Sequence, residues 1–269
     1  MGRLIRRLGS MSLALAVVMV AASAPFAGAA GVAAARKKGT AQVRVVNLYA
    51  PPDTEPPTLV VLDAQVLPGK KAPKPLVETE FGDASEFATV PVGHQLKLGP
   101  KADISKGLFI DPLKKKVRLT LIPFATSTDP SNTSMQWLQI VERGKRDVTG
   151  DTADWPDAPS GKATVMVFPG ALLSVLGDTF ATNVISPGAG CLQNSDESQQ
   201  DSGFGGTIPE YFFVDPGSIE VALTDQGCAG AAAIGPATVD AADGDRIAVL
   251  PYGTSADHLQ LMVLQVATP

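Results

Sequence analysis

Two octapeptides, 124 residues apart, limit what this chain can fold into. Residues 86–93 are EFATVPVG and residues 210–217 are EYFFVDPG, with Glu, an aromatic residue, Val and Gly at the same spacing. Three more matches keep the same order along the chain: 119–130 with 247–258, 137–141 with 263–267 and, less closely, 41–46 with 162–167, at offsets of 128, 126 and 121. Ordered matches at a nearly constant offset predict a tandem repeat of about 125 residues.

Each copy of the repeat has the sequence pattern of β-strands. Val117, Leu119 and Leu121 alternate with Arg118 and Thr120, which is the two-residue period of a half-buried strand. Pro-Gly pairs at 68–69, 187–188 and 216–217 indicate turns, and residues 170–177 are the best short helix candidate. We therefore expect an all-β chain with about seven short strands in each copy, arranged as β-sandwiches, with barrels as the alternative. Gly93 and Gly217 are expected to lie in turns.

The ends of the repeats and the N-terminal composition suggest five segments. Residues 1–29 have a basic start, an apolar run over 11–22 and Ala-Gly-Ala at 27–29, which is typical of a secretory signal peptide. A retained N-terminal anchor is the alternative. We expect a linker over 30–40, repeat one over 41–150, a seam over 151–161 and repeat two over 162–269. No membrane span is expected in the mature chain.

The two cysteines, Cys191 and Cys228, both fall in repeat two. In an exported chain an even pair of cysteines predicts a disulfide, and two free thiols are the alternative.

One long segment of repeat one resembles a known family. The stretch VRVVNLYAPPDTEPPTLVVLDAQV, followed by FGDASEFATVPVGHQLKL, resembles the secreted bacterial family called domain of unknown function 4397. The matching places are an Arg-Val-rich strand at 43–47, a Val-rich strand bearing an Asp at 60–63 and an aromatic-x-x-Val-Pro-x-Gly strand exit at 87–93. The resemblance covers about 60 residues. It implies an immunoglobulin-like sandwich exported to the cell surface, and it carries no catalytic residues. Together with the internal repeat, it leads us to expect two tandem immunoglobulin-like β-sandwich modules after the signal peptide.

Residues that could carry chemistry are few. The histidines are His94 and His258, and the sequence has no G-x-S-x-G motif and no glycine-rich phosphate loop. Neither histidine has a Ser or Asp context that singles it out, so we expect no enzyme and no cofactor. A secreted hydrolase using one of these histidines is the alternative. Two acidic loops could supply oxygen ligands for calcium-dependent adhesion, without EF-hand spacing: Asp147, Asp151, Asp154 and Asp157, and Asp196, Glu197 and Asp201.

Charge divides the chain unevenly. Residues 36–150 carry a net charge of +5, from 17 basic and 12 acidic residues, and residues 151–269 carry −13, from 2 basic and 15 acidic residues. The candidate basic surface consists of Lys70, Lys71, Lys74, Lys114, Lys115 and Lys116. Such opposite charges could bring the two repeats together, within one chain or between chains, or bind an anionic envelope polymer or lipid head group; a merely solvated surface is the alternative.

The leading prediction is a non-catalytic secreted or cell-envelope module that acts by surface binding or assembly. The sequence does not identify the ligand. Nucleic acid is not expected as a partner, because the chain is net acidic and has no groove-entering motif.

Overall fold

A computed structural model describes residues 39–66, 74–144, 155–172, 175, 181–186, 190–192, 209–224 and 232–266 of the 269-residue chain. The described residues form sixteen β-strands and three short 3-10 helices. The predicted all-β fold is confirmed. In this part of the chain no helix is long and apolar enough to cross a membrane.

The first half comprises eight strands in two four-stranded sheets. The strands are β1 (Thr40–Val45), β2 (Leu59–Asp63), β3 (Val77–Thr79), β4 (Ala88–Pro91), β5 (Leu96–Pro100), β6 (Leu108–Ile110), β7 (Arg118–Ala125) and β8 (Met135–Arg143). Strands β4-β1-β7-β8 form one sheet, called inner sheet 1, and strands β3-β2-β5-β6 form the other, called outer sheet 1. Strands β1 and β7 are parallel, and the other neighbours are antiparallel.

The second half has the same strand order. Its strands are β9 (Ala163–Val167), β10 (Ala181–Ser186), β11 (Gly190–Leu192), β12 (Glu210–Val214), β13 (Gly217–Thr224), β14 (Ala232–Ala241), β15 (Arg246–Gly253) and β16 (Leu259–Val266). Strands β12-β9-β15-β16 form inner sheet 2, and strands β11-β10-β13-β14 form outer sheet 2. Strands β9 and β15 are again the parallel pair. The described part of each half thus has eight strands, one more than the sequence suggested.

The four sheets stack in layers with an apolar core between each pair. Outer sheet 1 packs on inner sheet 1 around residues such as Val43 and Leu98. Outer sheet 2 packs on inner sheet 2 around residues such as Val165 and Val221. The middle layer joins the two halves and includes Ile122, Phe124, Leu138, Met166, Phe168 and Leu250. All described residues belong to one compact unit.

Strand β7 shows why the inner sheets differ from the sequence-based expectation. Alternation predicted a half-buried strand, but Thr120 and Ile122 are as buried as Leu119 and Leu121. The prediction of one solvated face is wrong, because the second half covers it. Phe124 meets Phe168 edge-on there, with ring centroids 5.1 Å apart. Strands buried on both faces have continuous apolar sequences, as β7, β9 and β15 do.

All four sequence matches lie on equivalent strands of the two inner sheets: β1 with β9, β4 with β12, β7 with β15 and β8 with β16. Two matches are displaced along their strands: that of 137–141 with 263–267 by two residues, because Val141 pairs with Leu119 as Gln265 pairs with Ile247, and the weakest match by one. Val43 pairs with Ala88 as Val165 pairs with Phe212, so residue 43 corresponds to residue 165, an offset of 122 instead of 121. The difference matters, because a shift of one residue moves every side chain of a strand to the opposite face.

The turn and helix predictions have mixed outcomes. Gly93 and Gly217 have φ values of 78° and 140°, which glycine adopts without strain, and Gly93 lies in a turn while Gly217 begins β13. The helix candidate 170–177 begins as a 3-10 helix at Pro169–Leu172, and of its remainder only Val175 is described.

Several sequence predictions fall outside the described residues. These are the signal peptide over 1–29, Lys70, Lys71, Cys228 and the side chain of Cys191, and most of the acidic loop residues. The disulfide therefore stays a prediction.

Candidate anion-binding surface

The first half carries a cluster of cations at one end of its strands, called the basic end: Lys74, Lys114, Lys115, Lys116 and Arg143. Lys74 lies just before β3, where the N–H of Leu76 donates to the carbonyl of Val61 over 2.8 Å. Residues 111–117 connect the end of β6 to the start of β7. Arg143, at the end of β8, is the ladder partner of Arg118. Strand pairing therefore brings together the described members of the two lysine clusters.

The loop that carries the three consecutive lysines is anchored at both sides. Its Leu113 is buried, and the carbonyl of Leu113 accepts a hydrogen bond from the N–H of Gly93 over 3.2 Å. At the other side, the N–H of Lys116 donates to the carbonyl of Thr40 over 3.0 Å. The anchors leave the side chains of Lys114, Lys115 and Lys116 exposed.

Lys116 has a backbone conformation that lysine rarely adopts. Its φ is +66°, in the left-handed region, which costs a residue with a Cβ roughly 1–2 kcal/mol. Gly244 occupies the equivalent place in the second half, with φ +78°, and its N–H donates to the carbonyl of Lys162 over the same 3.0 Å. The first half thus holds a lysine where the second half holds the residue that fits the backbone without strain.

The opposite end of the first half is rich in carboxylates: Glu78, Glu80, Asp83, Asp103 and Asp129 lie beyond or near the other strand ends. Lys101 pairs there with Glu78, and Lys106 lies 3.8 Å from Asp103. Asp63 and Asp111 are the carboxylates near the basic end. Cations thus outnumber carboxylates at the basic end and the reverse holds at the opposite end, a feature that net charge per half does not reveal.

The second half carries the opposite charge at the end equivalent to the basic end. This surface, called the acidic end, consists of Asp157, Asp215, Asp240, Asp243 and Asp245. Lys162 and Arg246 pair with two of these aspartates, at 2.7 and 3.6 Å. Where the first half has Lys114, Lys115 and Lys116, the second half has Ala242, Asp243 and Gly244.

The basic and acidic ends lie side by side. On the side of the molecule nearer the basic end, Arg44 Nη2 of β1 donates to the carbonyl of Gln265 over 3.3 Å. At the opposite end of the strands, the ring of Phe81 in the first half meets the ring of Tyr252 in the second half edge-on, with ring centroids 5.7 Å apart. Equivalent levels of the two inner sheets therefore face each other, and the halves are joined by their apolar middle layer. The three consecutive lysines remain exposed to solvent.

A buried polar network lies at the edge of the middle layer. The Glu142 carboxylate is fully buried; its Oε1 accepts from Arg44 Nη2 and from Thr120 Oγ1, both over 2.5 Å. Arg118 Nε lies 3.3 Å from Glu142 Oε2. Both guanidinium groups lie over the ring of Phe87, at 4.6 and 3.7 Å from its centroid. Burial lowers the pKa of Arg44, and the charge of Glu142 opposes that effect.

Each histidine has a polar partner in the structure, although the sequence around neither histidine singled it out. His94 Nδ1 lies 2.8 Å from Asp63 Oδ2, and both residues lie near the basic end. His258 Nδ1 lies 2.8 Å from Ser255 Oγ in an exposed turn. Asp63 and His94 were missed because 31 residues separate them; the Asp in the Val-rich strand motif was the available signal.

The two histidine pairs do not form a triad among the described residues. The second carboxylate oxygen of Asp63 accepts the N–H of Gln65 over 3.0 Å, and no serine, threonine or cysteine side chain there hydrogen-bonds to His94. Within the same part of the chain, no group of three or more His, Cys, Asp or Glu side chains could hold a metal ion. Asp157 is the one calcium candidate that is described, and its carboxylate lies 3.6 Å from Arg246.

Comparison with known proteins adds no assignment. No protein-family model matches the chain, and no curated protein matches it significantly.

Proposed function

We propose that this chain is an exported, non-catalytic module of two tandem immunoglobulin-like sandwiches that binds an anionic polymer of the cell envelope through its basic end. The observation that carries the proposal is Lys116, which keeps a strained left-handed conformation where the equivalent Gly244 is unstrained. Strain at a single residue that a glycine would relieve is typical of functional positions.

The charge distribution supports a polymer as the ligand. Lys115, Lys116 and Arg143 are exposed and make no side-chain ion pair with a described residue. Cations spaced along a loop and the neighbouring strand end match a ligand with repeated negative charges, whose counterions are released on binding. Because the halves meet through apolar side chains, binding at this surface does not require them to separate.

The test is the binding of the full chain to inorganic polyphosphate at 50 and 200 mM salt. Replacing Lys114, Lys115 and Lys116 by Gln should remove three contacts and flatten the slope of log K against log salt by about 2, at roughly 0.7 per contact for a flexible polyanion. The matched control replaces Lys97, Lys101 and Lys106 by Gln, which removes the same charge elsewhere in the first half. The proposal is overturned if both triple variants lose affinity equally, or if neither does.

A secreted hydrolase is the second candidate function, and the observation favouring it is the 2.8 Å contact between His94 and Asp63. An aspartate that orients a histidine is one part of a hydrolytic triad. The discriminating experiment measures ester hydrolysis by the full chain and by its His94→Ala and His258→Ala variants. Turnover that disappears with either substitution would replace the binding proposal; on the binding proposal no turnover is detected and both variants keep polyphosphate affinity.

A further inference from the structure

We propose that two copies of this chain associate end to end through the surface on which the basic end and the acidic end lie side by side. The inference goes beyond polymer binding, although it involves some of the same lysines. It rests on the placement of opposite charges at one end of the four-layer stack, and not on the net charge of either half.

A surface with one positive and one negative patch is complementary to its own copy. A two-fold axis between the patches places the basic end of one copy against the acidic end of the other, and the reverse, so both contacts form at once. Such an isologous arrangement closes as a dimer and leaves no unmatched patch. The lysines at 114–116 then face aspartates such as Asp215 and Asp240 of the second copy.

The size of the end surface suits a specific contact. Four sheets about 10 Å apart, each four strands wide at about 4.8 Å per strand, give an end of roughly 40 by 19 Å. The surface covered on each copy is then about 800 Å², or about 1,600 Å² in total, which is the standard size of a specific protein interface. Because exposed ion pairs are weak and screened by salt, we expect an association that is strongest at low ionic strength.

A dimer of this kind competes with the polymer of the proposed function. Both use Lys114, Lys115 and Lys116, so a polyanion bound at the basic end displaces the aspartates of the second copy. Addition of polyphosphate is expected to convert dimer to monomer. Polymer binding would then be linked to the oligomeric state.

The experiment is sedimentation velocity of the full chain at about 100 µM in 20 mM and 500 mM salt, with two charge-reversal variants. The first is Lys114→Glu, Lys115→Glu and Lys116→Glu; the second is Asp157→Lys, Asp215→Lys and Asp240→Lys. Asp243 and Asp245 are left unchanged because their carboxylates accept backbone N–H groups of the turns. The wild type should dimerise at low salt only, each variant alone should be monomeric, and an equimolar mixture of the two should form a heterodimer.

Restoration by mixing excludes misfolding as the cause of either loss, and far-UV circular dichroism of each variant checks its fold. A matched control, Lys97→Glu, Lys101→Glu and Lys106→Glu, should leave the dimer intact. A wild type that stays monomeric at low salt, or a mixture that stays monomeric, overturns the inference. The aspartate variant should still bind polyphosphate, so failure of the dimer and failure of polymer binding are separately visible.

Discussion

The buried polar network around Glu142 allows a prediction about stability, because the second half has apolar side chains in the corresponding region. By strand register, Met166 and Ala248 occupy the places of Arg44 and Thr120. Glu142 is the extra residue of a bulge in β8, between Val141 and Arg143, and β16 has the buried Val266 at the end of the equivalent strand. Both sets lie at the layer between the halves. The two halves therefore provide polar and apolar versions of one packing position.

Replacing Glu142 alone by Val should destabilise the chain by about 3–5 kcal/mol. The Arg44 side chain is 12% exposed, and without the carboxylate its charge is buried without compensation. The triple variant Arg44→Met, Thr120→Ala and Glu142→Val removes the carboxylate together with Arg44 and Thr120, and leaves Arg118, whose side chain is 35% exposed and therefore reaches solvent. Exchange of a buried ion pair for well-packed apolar residues is often neutral or stabilising by about 1–4 kcal/mol. The triple variant should thus be at least as stable as the wild type.

The measurement is guanidinium unfolding followed by circular dichroism and by the fluorescence of Trp137 and Trp155, which are partly buried and pack against the cores of different layers. If the unfolding transitions seen by the two probes coincide and the m-value is unchanged, the free energies of unfolding of the variants can be compared directly. The reasoning is refuted if the single variant loses less than about 1 kcal/mol, or if the triple variant is destabilised as much as the single one.

Three further predictions concern other sites. Lys116→Gly should relieve roughly 1–2 kcal/mol of left-handed strain and lose roughly 0.5–1 kcal/mol through the freer unfolded chain, so the free energy of unfolding should rise by about 0.5–1 kcal/mol while polyphosphate affinity falls. Gly244→Lys should lower the free energy of unfolding by a similar amount. A destabilised Lys116→Gly variant would contradict the strain argument. Burial raises the pKa of Glu210 from 4.5 to about 7, so the folded state binds the proton more tightly than the unfolded state. The free energy of unfolding should therefore fall by at most about 3 kcal/mol as the pH rises from about 4.5 to 7, and level off above pH 7. Glu210→Gln should abolish this pH dependence in unfolding curves measured at pH 5 and 8. An unchanged pH dependence in the variant would contradict the assignment to Glu210. Phe168→Ala should cost about 3–5 kcal/mol and shift a single transition reported by both tryptophans, whereas loss of coincidence would show that the halves unfold separately.

Much of the secondary structure could be predicted from local patterns. The all-β class followed from short apolar strands and their turn signals, and the four matched segments coincide with strands of the inner sheets. The continuous apolar stretch of β7 also carried the signal for burial on both faces. The alternation of Arg118 and Thr120 with leucines obscured it, because Thr120 serves as a hydrogen-bond partner of buried Glu142.

Contacts between distant segments could not be predicted from those patterns. Lys74 and Lys114 are 40 residues apart, and only the pairing of β2 with β3 and β5, and of β5 with β6, brings them to one end of the first half. The contact of His94 with Asp63 has the same origin. A net charge per half likewise conceals the separation of charge along the strands, which appears once the strand directions are known.

The polar network also bears on how the two halves recognise each other. If both faces of the middle layer were wholly apolar, the inner sheet of one chain could pair with that of another almost as well as with its own partner. With Arg44 and Glu142 on one side only, pairing of two first halves would bring two buried charge networks together and leave the Gln265 carbonyl contact unmade. We therefore expect the triple apolar variant, even when more stable, to form exchanged oligomers during refolding at high concentration. Monomeric refolding of that variant would show that the chain connection alone selects the partner.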